Sequence, residues 1–508
     1  MMSERPLSLT KKAQYFAAAP FMLARDCMAY RNSQPPQERT ALEKALAVVT
    51  DVKPGEGLTA ILLTLNVFLL LTAYYVIKPV REGLILAMEG GAEKKSYVSG
   101  AIAITLLFAV PAYGKVKDKV AKNKLVVGVT LFFASHLILF FLLSHTPLKS
   151  ELGLVFFTWV GVFNMMVVAQ FWAFANDIYT QEQGKRLFAI VGIGASLGGA
   201  VGAYITRFLS KTLGLGVFPM LLVAAGILAV SAFISQTVHV REKRIREEND
   251  HLTAQKEKEE EAKEAAEKKA EAQPQGGFTL VLRNRYLLLL AGFSLVFTIV
   301  DTNGEFILSS LAKEAAKAAA VAEHVPDAEM ADFVENHIAS FYGSFFLWVN
   351  IIGLSIQTFL VSRIVKYGGL KVAFFVYPVI ALVSSLNNVV TPHLVNVARI
   401  DAYRPTKTLE NATDYSLNNT VRNMLWLPTT TEMKFKAKQV VDSFLVRMGD
   451  VGSAALVFVF ARTLAWPVVR FSMINVVLVV IWLLLAVGIV RENAKLTDEK
   501  KDAPPSAA

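Results

Sequence analysis

A single cysteine, Cys27, is the only thiol in the 508 residues, so no disulfide can form within a chain and no cysteine pair can hold zinc. Thiol redox chemistry is not a candidate. The chain also lacks a P-loop and an HExxH pair, and its seven histidines do not cluster. No catalytic residue, metal site or cofactor is therefore expected, and ATP hydrolysis by this chain is not a candidate. Any transport should be secondary, driven by exchange or by an ion gradient.

Charge is sparse for the length. Charged residues make up 19% of the chain against 54% hydrophobic, and the mean hydropathy is +0.43. The composition is too apolar for a soluble protein of this size, yet too charged for lipid contact alone. A segment needs roughly 20 apolar residues to cross a bilayer. In the first half, 58–77, 98–113, 125–143, 152–174 and 213–234 qualify. In the second, 287–311, 341–365, 372–390, 440–461 and 474–490 do. Two further stretches are weaker: 187–208 is interrupted by glycines, and 394–427 holds Arg399, Asp401, Arg404 and Asp414. Both read as spans facing a polar interior, because such helices are tolerated only where protein or a water-filled cavity covers them. The expectation is an all-α integral membrane protein with twelve transmembrane helices.

The formal net charge of +10 would suggest a nucleic-acid partner in a soluble protein. In a membrane protein, cytoplasmic loops collect lysine and arginine, so no nucleic acid is expected. Segment 114–124 carries five lysines, the fourth connection has Lys185 and Arg186, the eighth Arg363 and Lys366, and the tenth Lys434, Lys436 and Lys438. That alternation places both termini in the cytoplasm. The first 57 residues form an amino-terminal segment, read either as a surface amphipathic helix around 15–24 or as a tail. Residues 58–240 would be a first six-helix bundle, 241–278 a charged cytoplasmic linker rich in i, i+4 Glu–Lys pairs, 279–491 a second six-helix bundle and 492–508 a cytoplasmic tail. Six spans, a linker and six spans is the plan of the major facilitator architecture. An internal echo accompanies it: KRLFAIVGIGASLGGAVGA from Lys185 and KQVVDSFLVRMGDVGSAAL from Lys438 place Gly199 and Gly452 at equal offsets.

Charges inside spans are expensive and so mark candidate sites. Lys78, Arg81 and Glu82 follow the first span in AYYVIKPVREGLIL, where Pro79 and Gly83 suggest a broken helix. A guanidinium there suits phosphate oxygens; the alternative is a snorkelling rim charge. Asn176 follows an aromatic stretch ending the fourth span, whose rings serve either a base or the membrane interface. Asp301 and Glu305 lie one turn apart in the seventh span and need a cation or a proton. In the eleventh, Arg447 and Asp450 are three apart, so local neutralisation competes with a substrate role. Arg186, Lys185, Arg422 and Lys438 fall at the cytoplasmic ends as candidate gating groups. Asn411 and Asn418 open Asn-x-Thr sequons, a match common by chance.

Three pieces of the chain resemble the nucleotide transporter family, the ATP/ADP antiporters of plastids and obligate intracellular bacteria. They are VREGLILAMEGGAE, FWAFANDIYTQEQGKRLFAIVGIGA and ATDYSLNNTVRNMLWLPTTTEMKFKAKQVVDSFLVRMGDVGSA, within a similarity covering about 55–490. The resemblance implies a secondary transporter of a bacterial inner membrane, exchanging an anionic small molecule, a nucleotide, by alternating access, with lipid as its surroundings; the oligomeric state stays open, a monomer among the options. Arg81 and Glu82 match a lysine–acid pair of the family. Asp301 matches a glutamate, but Glu305 and Asp450 stand where the family has lysines, and Val160 where it has a glutamate. The pattern is therefore more negative than the family's. A proton-coupled carrier of another organic anion or lipid-like solute is the alternative within transport; a non-transporting scaffold or sensor is the alternative outside it.

Overall fold

The apolar segments are helices in a computed structural model that describes residues 39–47, 50–117, 122–247, 276–394, 397–430 and 433–502. Cys27 and most of the expected linker lie outside those residues. Among the described residues every regular element is helical.

The described residues up to Leu58 form a small unit of their own. In it, helix α1 (Ala41–Leu46) starts in a capping box between Thr40 and Glu43. The Glu43 carboxylate also accepts from the amides of Gly55 at 2.7 Å and Gly57 at 3.3 Å. The backbone amide of Thr40, more than any other contact, holds that carboxyl below its usual range.

The described residues from Thr59 onward form the second unit. Its first half contains α2 (Gly57–Ala87), α3 (Gly91–Lys117), α4 (Lys122–Leu143), α5 (Leu152–Ile178), α6 (Gln181–Lys211) and α7 (Val217–Glu247). Its second half contains α8 (Gly277–Arg283), α9 (Arg285–Ala322), α10 (Met330–Ser355), α11 (Gly369–Leu394), α12 (Arg399–Thr413), α13 (Val446–Val457) and α14 (Val468–Asp502). π-helical turns extend α10 through Ile356–Leu360 and Ile364–Gly368, α12 through Asp414–Asn418, and α13 on both sides through Val440–Leu445 and Phe458–Thr463.

Nine stretches of described residues are long and apolar enough to cross a membrane. One of them, Met330–Pro392, is 63 residues long, about three bilayer thicknesses at 1.5 Å per residue. Gly369 turns the chain within it at φ +68°, where a side chain would be strained, so it makes two rods. Helices α3 and α12 are not among the nine. Helix α12 is 15 residues long and carries Arg399, Asp401, Arg404, Lys407 and Glu410; the apolar run of α3 continues into residues whose side chains lie outside those described.

The burial pattern is inverted relative to a soluble protein. Phe233 is 72% exposed and Leu484 67%, whereas Lys407 and Asn66 are fully buried. Apolar side chains line the outside, as lipid requires, and polar ones turn inward. Each half is stitched inside by asparagine. Asn66 of α2 donates to the Ser231 carbonyl at 3.1 Å and the Ser235 hydroxyl at 2.5 Å on α7. Asn303 of α9 donates to Asn475 of α14 at 2.6 Å, and Asn475 donates back to the Val300 carbonyl at 3.1 Å.

Small residues set the closest approaches. A Cβ on Gly194, Gly198 or Gly202 of α6 would run into the backbone carbonyls of Thr64, Phe68 or Thr72 on α2. A Cβ on Gly449 of α13 would run into the Thr298 side chain of α9. Pro79 lacks the amide that would bond the Tyr75 carbonyl, and the Thr206 hydroxyl of α6 lies 3.4 Å from that carbonyl instead.

Between the halves, α6 packs on α10 and α3 on α13. Counting long helices within each half, these are the fifth on the eighth and the second on the eleventh, pairs that interchange when the halves are exchanged. Further cross-half contacts lie where α2 ends. Lys149 pairs with Asp332 at 2.6 Å, and Lys313 donates to the Met88 carbonyl.

Candidate functional site

A cavity of about 300 Å3 is lined from both halves. The first half contributes Lys78, Arg81 and Glu82 from α2, Lys95, Ser96, Ser99 and Ile102 from α3, and Phe157, Gly161, Asn164 and Met165 from α5. Opposite them stand Asp301, Thr302, Glu305 and Phe306 of α9, Phe346 of α10, Asn411 of α12, Asp414 and Tyr415 of the π-turn, and Arg447 and Asp450 of α13.

The charges form three clusters. In the first, the Arg81 guanidinium donates to Glu82 Oε1, its Nε at 3.1 Å, and stacks over the Phe157 ring at 4.5 Å. Lys95 Nζ completes this cluster at 2.7 Å from Glu82 Oε2, reaching across to Glu305 Oε2 at 3.7 Å and to the Ser309 hydroxyl at 2.8 Å. Lys95 thereby joins the two halves at a buried point. In the second cluster, Lys407 sits behind the cavity wall and donates to Asp301 at 3.0 Å and Glu410 at 2.8 Å. It reaches Asp301 past Gly304, where a Cβ would lie 2.8 Å from the ammonium. The third cluster is on α13: Arg447 donates to Asp450 at 3.3 Å, Thr302 donates to the same carboxylate at 3.1 Å, and Arg447 touches the Met165 sulfur of α5 at 3.5 Å. Lys78 differs from all of these. It makes no ion pair among the described residues and instead lies over the Phe346 ring at 3.9 Å and the Tyr75 ring at 5.6 Å.

Seven residues singled out from the sequence therefore share one cavity: Lys78, Arg81, Glu82, Asp301, Glu305, Arg447 and Asp450. Asn176 does not line it. That side chain is exposed on the last turns of α5, where its amide donates to the Trp172 carbonyl at 2.9 Å. The aromatic stretch before it packs internally, with Trp172 edge-on to Phe171 and Phe188. Arg422 and Lys438 lie away from the cavity and tie two neighbouring segments together, Arg422 to Asp442 at 3.3 Å and Lys438 to Asn423 at 3.0 Å. Arg186 is half-buried in the first turns of α6, and the side chain of Lys185 lies outside the described residues. Asn411 and Asn418 are buried, so neither sequon presents an acceptor surface. Sequence reasoning missed Lys95, Lys407, Glu410 and Tyr415. The only local signal was the i, i+3 spacing of Lys407 and Glu410.

This arrangement matches solved membrane transporters in shape. A bacterial homologue of the iron transporter ferroportin, inward-facing, superposes with a TM-score of 0.55 over 86% of this chain and 98% of its own, at 12% identity. The nucleoside transporter NupG does so with a TM-score of 0.53 over 85% and 98%, also at 12% identity. At such identities the likeness shows the fold alone, an all-α, major-facilitator-like bundle of membrane-crossing helices. The sequence pattern of the TLC ATP/ADP transporter matches residues 154–493, and the chain belongs to that family. Among curated relatives, ADP,ATP carrier protein 4 of Rickettsia felis is 22% identical over 376 residues, 67% of this chain and 66% of that protein. ADP,ATP carrier protein 1 of Chlamydia muridarum is 22% identical over 322 residues, 58% of this chain and 55% of its own length. The chain thus matches between about half and two thirds of these relatives' length.

Proposed function

We propose that this protein is a secondary transporter that exchanges nucleotides across a bacterial inner membrane by alternating access. Twelve spans would form two bundles, 58–240 and 279–491, with the linker and both termini in the cytoplasm. The observation that carries the reading is the cavity itself: in a member of an ATP/ADP transporter family, guanidinium and ammonium groups from one half face carboxylates and amides from the other. Lys78 would take the phosphate end, with Arg81 beside it holding the Glu82 carboxylate, and Asp301, Glu305 and Asp450 the donor groups of base and ribose. Rocking of the bundles about α6–α10 and α3–α13 would expose the site alternately. Arg186, Lys185, Arg422 and Lys438 would serve the cytoplasmic end.

The test is uptake of radiolabelled mono-, di- and triphosphate nucleotides into proteoliposomes preloaded with unlabelled nucleotide. Uptake that requires internal nucleotide and disappears in Arg81→Ala supports exchange. Failure of every nucleotide, in protein that is correctly folded, overturns it. A proton-coupled carrier of another organic anion is the second reading, favoured by the five carboxylates lining the cavity. It would show uptake driven by an imposed pH gradient without internal substrate. A scaffold or sensor has no use for the buried ion pairs described above.

A further inference from the structure

Four cations line the cavity against five carboxylates. Three of the cations are already engaged. Arg81 is bonded to Glu82, Lys95 lies between Glu82 and Glu305, and Arg447 is bonded to Asp450. Lys407, behind the wall, is likewise held by Asp301 and Glu410. Lys78 alone among the lining cations has no carboxylate partner among the described residues, and its ammonium rests on the face of Phe346.

A polyphosphate needs several cations at once. Here each additional phosphate would have to draw a lysine or arginine away from a buried carboxylate and leave that carboxylate without its partner. The volume acts in the same direction, since about 300 Å3 stands at the lower limit of small-molecule sites.

We infer that the solute carries a single phosphate group, seated on Lys78, and that the site selects nucleoside monophosphates over di- and triphosphates. This deepens the nucleotide reading above and rests on it. Selection arises from occupancy. The cations are present, but the protein's own acids fill all but one, so the cavity has room for about one further anionic group. The nucleoside part would lie toward the second half, where Asn411, Thr302 and Tyr415 offer neutral polar atoms beside the carboxylates.

The experiment is equilibrium binding of adenosine, AMP, ADP and ATP to the purified full chain in lipid nanodiscs at fixed ionic strength. AMP should bind about tenfold or more tightly than ATP, with ADP between them and adenosine weaker than AMP. Lys78→Gln should lower AMP affinity about tenfold while leaving adenosine unchanged, a split that general misfolding would not produce, and Lys78→Arg should retain AMP binding. Glu305→Gln, which frees part of the hold on Lys95, should improve ADP and ATP relative to AMP. Tighter binding of ADP or ATP than of AMP to the unmodified protein overturns the inference and leaves the nucleotide reading standing. Absence of binding by all four compounds to monodisperse protein overturns the nucleotide reading and the inference with it.

Discussion

The two halves of this protein share a scaffold and divide the charge. In each, the first long helix is stitched to the last by a buried asparagine: Asn66 to Ser231 and Ser235, Asn303 to Asn475. In each, the fifth helix presses glycines against the first. The cavity walls do not repeat. The first half lines it with Lys78, Arg81 and Lys95 and one acid, Glu82, whereas the second supplies Asp301, Glu305, Asp414 and Asp450 and one cation, Arg447. Contacts that hold helices together recur between equivalent helix pairs, and the charges of the cavity wall do not. A repeat can thus build a symmetric hinge around an asymmetric site. The π-helical turns follow the same division: among the described residues all lie in the second half. One of them, Asp414–Asn418, puts two consecutive residues, Asp414 and Tyr415, on the cavity wall.

Four perturbations sharpen this comparison. The largest effect should come from Lys407→Met, which leaves Asp301 and Glu410 facing one another without their cation. A loss of about 3–5 kcal/mol is expected, read as a lowered unfolding temperature. Adding Asp301→Asn and Glu410→Gln should restore much of it, which would identify the second half's carboxylates as the cause. Next is Arg81→Ala in the first half. Its removal should reduce transport by about 30-fold or more, measured as initial uptake rate, because Glu82 loses one of its two cations and is left under-neutralised beside the phosphate site. Third, Asn66→Leu and Asn303→Leu should each destabilise by about 1–3 kcal/mol. Thermal shifts of similar size in the two variants support equivalent scaffold roles, and a large disparity breaks the symmetry argument. Smallest is Lys149→Ala, which removes a solvent-exposed pair with Asp332 across the halves and should change stability by about 0–1 kcal/mol.

The helices and most of the cavity's charged residues were legible in the sequence because charge within an apolar run stands out. Arg81, Asp301, Glu305 and Asp450 each interrupt such a run, and each reaches the cavity. Lys95 escaped for the opposite reason. It lies in GGAEKKSYVSG, a polar stretch that reads as a loop before an apolar span, although α3 begins at Gly91 and buries that lysine. Hydropathy places a helix where lipid contact begins, not where the backbone first coils. Lys407 and Glu410 were obscured by their surroundings, since α12 is polar along its whole length and spacing cannot say which of its charges turn inward. Asn176 misled because a polar residue after aromatics looks the same whether it faces a cavity or water.

Gly304 carries a consequence out of proportion to its size. A methyl group there would meet the end of a flexible lysine, so the helices need not part; the ammonium would simply be displaced from Asp301 and Glu410. Gly304→Ala, which changes no formal charge and favours helix, would in effect act as an electrostatic mutation at one remove. Scoring substitutions at this position by hydrophobicity or helix propensity would rank alanine as harmless, yet it removes the gap through which one half of the protein keeps its acids neutralised.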